Sequence, residues 1–253
     1  MKRVGAKKID LSVEIFGVTI SGNSKIRVLS QVWLQRKKML HVATVNSEYV
    51  MEARANPRFR EILRQSEINI ADSFGVVWAA HLLFGRRLER ITGVELVREI
   101  LRRASDKGER VFLLGARPGS AQSAASQMMK VYPGARYAWY EGARSVILEK
   151  SEEASMTIAK INAFEPDYLL VAYGSPWQDI WIEENRRYLR ARVAVGVGGV
   201  IDDWAGITKQ CPGWLDRWGG KWLWRLVHEP WRWRRVWRVF QFGGLVIAKR
   251  MLH

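Results

Sequence analysis

The stretch Tyr168-Leu-Leu-Val-Ala-Tyr-Gly-Ser-Pro-Trp-Gln178 decides the fold. An apolar run, Tyr168 to Ala172, stops at the turn residues Gly174-Ser-Pro-Trp-Gln178 and passes into a helical pattern over Asp179 to Arg187. A second apolar run follows at Arg192 to Val197, closed by Gly196-Val-Gly-Gly199. Strand, helix and strand in this order make a crossover unit, which joins parallel strands. The same alternation extends toward the N-terminus. Apolar runs with strand character lie at Leu11 to Ile20, Leu40 to Val45, Ile68 to Ala71 and Arg110 to Leu114. Helical patterns lie at Asn46 to Gln65, Val76 to Leu83, Gly93 to Asp106, Ser120 to Tyr132 and Ser151 to Phe164. The expected fold is α/β: a Rossmann-like, largely parallel sheet flanked by helices.

In open sheets of this kind ligands occupy the crevice beyond the carboxyl ends of the strands, so the loop after each strand is where chemistry belongs. Those loops are polar: Thr44-Val-Asn46, Asp72-Ser-Phe-Gly75, Gly115-Ala-Arg-Pro-Gly119, Gly174-Ser-Pro-Trp-Gln178 and Gly196-Val-Gly-Gly199. Asp72 has two readings, an N-cap of the helix that follows it or a general base for an attacking hydroxyl. Thr44 and Asn46 suit sugar hydroxyls or a uracil edge, or else ordinary turn and cap chemistry. Ser175 suits a cap, while Gln178 carries an amide toward the crevice. Gly115 and Gly119 would let backbone N–H groups approach a diphosphate, although the segment matches neither GxGxxG nor the Walker pattern. Asp202-Asp203 is read as structural rather than as a metal pair, because consecutive helical residues diverge by about 100°.

The chain has 253 residues, 48% hydrophobic and 26% charged, a globular composition with room for a substantial core. No segment approaches the ~18 to 20 consecutive apolar residues of a membrane-spanning helix. The basic start, Met1 to Lys8, lacks a long apolar stretch and a small-residue cleavage site, so export is not expected. A single cysteine, Cys211, excludes an internal disulfide framework, and with four histidines no Cys/His zinc site is expected.

After Gly206 the sheet pattern stops and Trp/Arg composition begins. We therefore divide the chain into a core at 1–206 and a helical appendage at 207–253. Residues 209–253 hold ten Lys/Arg against two Asp/Glu, half of the net charge of +16, and seven of the thirteen tryptophans. Arginine grips phosphate bidentately and tryptophan suits a surface with one apolar and one wet side. Such a segment fits an anionic, partly apolar partner: membrane headgroups, lipid diphosphates or nucleic acid. From Pro230, a helical projection puts Trp233, Val236, Trp237, Phe240, Gly244 and Ile247 on one face. Trp233 and Trp237 are expected to pack on the core, whereas Trp231 and Phe242, on the other side, are expected to meet a membrane surface.

Seven blocks, in order, resemble the WecG/TagA/CpsF family of bacterial glycosyltransferases (glycosyltransferase family 26). They are Thr44-Val-Asn-Ser-Glu48, Ala71-Asp-Ser-Phe-Gly-Val-Val77, Glu89-Arg-Ile-Thr-Gly93, Val111-Phe-Leu-Leu-Gly115, Pro166 to Gln178, Gly196-Val-Gly-Gly199 with Asp202 and Ala205-Gly206, and Trp224-Arg-Leu-Val-His-Glu-Pro-Trp-Arg232. The likeness runs from about Phe16 to Arg238. It implies transfer of a sugar from a UDP-linked donor to a polyprenyl-diphosphate-linked saccharide, with inversion and without a metal or other cofactor. It implies a peripheral enzyme at the cytoplasmic membrane face, whose partners are the nucleotide-sugar, the lipid-linked acceptor and the membrane surface rather than nucleic acid; self-association stays open. In cell-surface polysaccharide or teichoic acid synthesis, N-acetylmannosamine, its uronic acid and glucose are all compatible donor sugars.

Residue by residue, the likeness makes Asp72 the catalytic carboxylate. Thr44, Asn46 and Gln178 become pocket residues, Arg90 a substrate-contacting arginine, and Arg225, Arg232 and Arg235 appendage arginines that approach a diphosphate. The chain departs from the family pattern at Ala71-Asp72-Ser73, Gln178-Asp179, Gln210-Cys211-Pro212 and Lys221. The alternatives from other classes are a basic nucleic-acid-binding protein and a non-catalytic membrane adaptor. Neither explains the crevice loops.

Overall fold

Strands buried on both faces of a parallel sheet read as continuous apolar runs, and the runs singled out above become the middle of one sheet. In a computed structural model, which describes residues 12–22, 24–34, 38–143, 146–207, 211–218, 220–228 and 233–252, six parallel strands lie in the order β4-β3-β8-β7-β5-β6. They are β3 (Leu40–Val45), β4 (Ile68–Ala71), β5 (Arg110–Gly115), β6 (Arg136–Tyr140), β7 (Tyr168–Ala172) and β8 (Val193–Gly196). In β3, β4, β7 and β8 every residue is buried.

Side chains alternate across the sheet and build a core on each face. On one face Val42, Val195, Leu113 and Leu170 pack with α1 (Lys25–Leu34), α5 (Gly93–Lys107), α6 (Ser120–Val131) and α9 (Val200–Trp204). On the other, Ala43, Val45, Leu169 and Val171 meet α2 (Ser47–Ala55), α3 (Pro57–Gln65), α4 (Phe74–Phe84), α7 (Ser151–Phe164) and α8 (Trp177–Asn185). Three further helices follow: α10 (Gly213–Arg217), α11 (Lys221–His228) and α12 (Trp233–Met251).

The structure corrects four expectations. The run Leu11 to Ile20, read as one strand, is an antiparallel hairpin over its described part, β1 (Val13–Ile15) and β2 (Val18–Ile20), because Phe16 and Gly17 take positive φ of 49° and 84° and close a two-residue turn. The single helix expected over Asn46 to Gln65 breaks at Asn56-Pro57. Asn56 is extended, ends α2, and caps α3 through a bond from Phe59 N–H, while Pro57 supplies the preset first turn. The third is the presence of α1 and β6, two elements that the expected pattern of runs lacks, although Val28, Leu29 and Val32 of α1 recur at helical spacing on its buried side.

The fourth correction concerns α12. Phe242 is buried, edge-on to the Phe16 ring at 6.1 Å, and shares the core with Val246. Phe242 is therefore not a membrane-contacting residue. Trp233 and Trp237, expected against the core, are each 59% exposed. At about 100° per residue Phe242 lies ~180° round the helix from Trp233, so the two positions were correctly opposed but assigned to the wrong sides. Arg238, read as part of a solvated basic face, bonds Glu52 of α2 at 2.7 Å. Trp231 and Arg232 lie outside the described residues.

Candidate active site

The loops after five strands converge on one cleft of about 600 Å³. Thr44 and Asn46 follow from β3, Asp72 to Gly75 from β4, Ala116 and Arg117 from β5, Ala172 to Ser175 from β7, and Val197 to Val200 from β8. Val236 and Val239 of α12 complete the lining, so the last described helix closes one side of the site. Four residues singled out as pocket or catalytic groups from the core, Thr44, Asn46, Asp72 and Gln178, line this one space, and Arg90 joins them.

Asp72 does not cap the helix that follows it. Ser73 does so, its Oγ accepting from Val76 N–H, while Asp72 Oδ1 accepts from Gly93 N–H at 2.7 Å, at the first residue of α5. Both α5 and the 84–92 segment are tied to the site by this bond. Thr92 caps α5 in a reciprocal box with Glu95, which fixes where Gly93 N–H points. The carboxyl group is thus oriented from a helix start 21 residues away.

Thr44 Oγ1 donates to Gly196 O at 2.9 Å, locking the ends of β3 and β8 together. Asn46 caps α2 through its carboxamide oxygen, which accepts from Tyr49 N–H at 3.0 Å; the cap does not use the NH2 group, a donor. Arg90 stands over the Phe74 ring at 5.5 Å and lines the cleft that Asp72 also lines. Arg117 is a second cation of the lining, 3.8 Å through its Nε from Asp202 Oδ2. It belongs to the loop Gly115-Ala-Arg-Pro-Gly119, where only the two glycines stand out in the sequence as candidates for a diphosphate.

Two loop expectations need correction. Ser175 makes no cap bond to α8, whose first turn begins at Pro176 without a side-chain acceptor; Ser175 lines the cleft instead. Gly119 N–H donates to Glu141 Oε1 at 2.7 Å and lies away from the cleft, so it does not greet a diphosphate. Gly115 serves packing: its φ is 87° and a Cβ there would stand 2.9 Å from the Tyr173 ring.

Gln178 is 2% exposed and engaged at both ends. Its Nε2 donates to Tyr49 Oη at 2.6 Å and its Oε1 accepts from Gly198 N–H at 2.9 Å. Tyr49 in turn donates to Asp179 Oδ2 at 2.7 Å, and burial followed by the Asp179 charge pushes its phenol well above the usual range, so it stays a donor. Tyr49 and Asp179 were not singled out as site residues from the sequence. They come from elements about 130 positions apart, and nothing local marks the pairing. Arg225 and Arg235 stand in α11 and α12, but their side chains are outside the described residues.

Residues 13–253 match the model of the Glycosyl transferase WecG/TagA/CpsF family. The chain belongs to this family. Among relatives in the family, the N-acetylglucosaminyldiphosphoundecaprenol N-acetyl-beta-D-mannosaminyltransferase of Bacillus spizizenii (strain ATCC 23059 / NRRL B-14472 / W23) is 32% identical, over 87% of this chain and 83% of its own length. The protein of the same name from Bacillus subtilis (strain 168) is 28% identical over 89% and 86%. That from Staphylococcus aureus (strain MRSA252) is 29% identical over 90% and 87%. As a member of the WecG/TagA/CpsF family the chain is a glycosyltransferase, and that activity replaces the nucleic-acid-binding and adaptor readings. The cleft described above is where the family's chemistry has room to occur. No helix among the described residues is long and apolar enough to cross a membrane.

Proposed function

We propose that the chain transfers N-acetylmannosamine from its UDP-linked form to a polyprenyl-diphosphate-linked N-acetylglucosamine, as the names of its relatives suggest for the acceptor and the sugar. The observation that carries the proposal is the placement of Asp72: a carboxyl group held by Gly93 N–H in a cleft of about 600 Å³, lined also by Arg90, Arg117 and Gln178.

In this reading the acceptor hydroxyl loses its proton to Asp72 as its oxygen attacks the anomeric carbon. The bond from that carbon to the diphosphate oxygen breaks in the same displacement, and UDP leaves with the electron pair. Attack opposite the leaving group inverts the centre. A positioned base contributes about 10²- to 10⁴-fold, and the departing diphosphate needs cations placed in advance. Arg90 and Arg117 are available from the core; Arg225, Arg232 and Arg235 are the candidates from residues 207–253, which we treat as an appendage that completes the site.

The lipid of the acceptor stays in a bilayer, so the cleft must come to it. Trp233, Trp237, Phe240, Ile247 and Met251 are all exposed and fall within one stripe of α12, opposite the buried Phe242 and Val246. This stripe, with the neighbouring basic residues, suits peripheral contact with an anionic membrane surface on the cytoplasmic side. Since Val236 and Val239 of the same helix line the cleft, docking and completion of the site would be one event.

Asp72→Asn keeps the shape of the side chain and removes the proton acceptor. Transfer should fall by about 10²-fold or more, read by product mass, with UDP-sugar affinity retained in calorimetry. A variant with near-native turnover would remove Asp72 from the role of base.

A further inference from the structure

From the cleft lining, where Tyr49 and Gln178 stand, a chain of buried polar groups that the proposed displacement does not use runs back into the sheet. His41 of β3 is fully buried between two carboxylates of α8, one helical turn apart: its Nε2 lies 3.1 Å from Asp179 Oδ1 and its Nδ1 lies 3.4 Å from Glu183 Oε2, an ion-pair contact rather than a directed bond. Asp179, itself fully buried, accepts from Tyr49 Oη; Tyr49 accepts from Gln178 Nε2; and Gln178 Oε1 accepts from Gly198 N–H.

The donors all run one way. Tyr49 has a single proton, given to Asp179, so Gln178 must present its NH2 to Tyr49 and its oxygen to Gly198. The amide orientation at the cleft is thereby set by Asp179, and Asp179 is held by His41. The far end is anchored as well. Glu183 pairs with Arg186, Arg186 Nη2 donates to Met39 O and pairs with Glu67, and Glu67 accepts from the backbone N–H of His41.

The packing leaves this arrangement no slack. A Cβ on Gly196 would stand 2.5 Å from Gln178 Nε2 and 2.8 Å from Asp179 Oδ1, so the last residue of β8 lies flat against the two side chains. Thr44, from the neighbouring strand, bonds the carbonyl of that same Gly196. Gly198 and Gly199, two and three residues further on, are cleft wall.

We infer that His41, Asp179 and Tyr49 are positioning residues for the transfer reaction: through Gln178 they hold the wall formed by Gly196 to Gly199 at the place where substrate is bound. None of the three need touch the reacting carbon. The inference rests on the glycosyltransferase reading of the cleft. Because the wall contacts bound substrate and not the base, its loosening acts on binding first, so the loss appears mainly in KM and less in kcat.

The test uses the full chain with Tyr49→Phe, His41→Gln and, as a control, Tyr137→Phe, which removes a half-buried hydroxyl bonded to Tyr132 O outside the cleft. Tyr49→Phe keeps the ring and its packing on Phe59, so it stays informative if His41→Gln fails to fold. Two readouts are taken on folded protein: the KM for UDP-N-acetylmannosamine against kcat, and hydrogen-exchange protection of the segment 196–200. Tyr49→Phe should lower kcat/KM by about 10- to 100-fold, mostly through KM, with faster exchange confined to that segment. His41→Gln should do the same, and Tyr137→Phe should do neither. Native KM and native exchange in Tyr49→Phe, or an equal loss in Tyr137→Phe, would overturn the inference. A wild-type protein that transferred no sugar would instead defeat the functional reading, while the exchange readout would still decide whether these residues hold the wall.

Discussion

Gly93 N–H, not the helix that follows it, holds Asp72, and this changes what its neighbours are worth. A residue of the 84–92 segment can shift the carboxyl group without touching it, because Thr92 and Glu95 fix the start of α5. Asp72, Thr44 and Gln178 were legible from the sequence because each lies at the end of, or just after, an apolar run that could be recognised as a strand. Their partners were not: Thr44 bonds a carbonyl 152 positions away, and His41 meets Asp179 across 138. His41 carries a testable pH dependence. Burial opposes its charged form, but the contacts to Asp179 and Glu183 outweigh burial and raise its affinity for the proton above the ordinary value of 6.5. The groups that face it are Asp179 and Glu183 of α8, Arg186 at the C-cap of that helix, Tyr49 of α2, and Glu67 ahead of β4. A raised folded-state value stabilises the fold fully below pH 6.5, and that contribution disappears as pH rises through the higher folded value. Glu183 is shifted down from 4.5, chiefly by its contact with His41, so its share is lost only as pH falls below that value. Urea midpoints taken from about pH 6 to about pH 9 should therefore decline in the wild type more than in His41→Gln. Parallel declines would show that His41 does not titrate in that range.

Among the elements, α12 best shows the limit of periodicity. Its sequence has two apolar faces, Val239, Phe242 and Val246 on one and Trp233, Trp237, Phe240 and Ile247 on the other, and a helical projection ranks the second as the stronger. The smaller face wins the core because Phe242 finds Phe16 of the hairpin turn and Gly75 of α4, close enough for its ring to lie 3.7 Å from where a Cβ would stand. The tertiary partner, not the stripe, chooses the side. Phe242→Ala should therefore cost about 3 to 5 kcal/mol in denaturant unfolding. Trp237→Ala should stay within about 0.5 kcal/mol and instead weaken binding to vesicles containing anionic lipid. If Trp237→Ala destabilised the fold as much as Phe242→Ala while vesicle binding stayed native, the assignment of the two faces would be wrong. The hairpin β1–β2 and the break at Asn56-Pro57 were hidden for a related reason: both are local backbone events, a two-residue turn and a capped proline start, inside runs whose apolar pattern continues through them.

For the whole molecule, the parallel sheet was readable because β3, β4, β5, β7 and β8 are mostly apolar and almost wholly buried, as strands covered on both faces tend to be, with His41, Thr44 and Asn69 as polar insertions. The sixth strand escaped. Arg136–Tyr140 is an edge strand with a partly exposed face, and its mixed composition carries no run. The cleft itself was legible as a rule, that loops after strands converge, and its contents followed in part; the contribution of Val236 and Val239 from α12 depends on how the C-terminal helix packs over α2 and α4. A Rossmann-like core with Asp72 in its cleft is thus joined to a helix that both closes the cleft and offers an apolar stripe outward. The reaction proposed for this assembly is sugar transfer onto a saccharide carried on a lipid diphosphate. Incubating the full chain with a panel of UDP-sugars and a short-chain polyprenyl-diphosphate N-acetylglucosamine, followed by mass spectrometry of the lipid product, tests it most directly. The expected product has gained one N-acetylhexosamine unit with UDP-N-acetylmannosamine as donor; a folded protein that adds no sugar from any donor in the panel would contradict the proposed reaction.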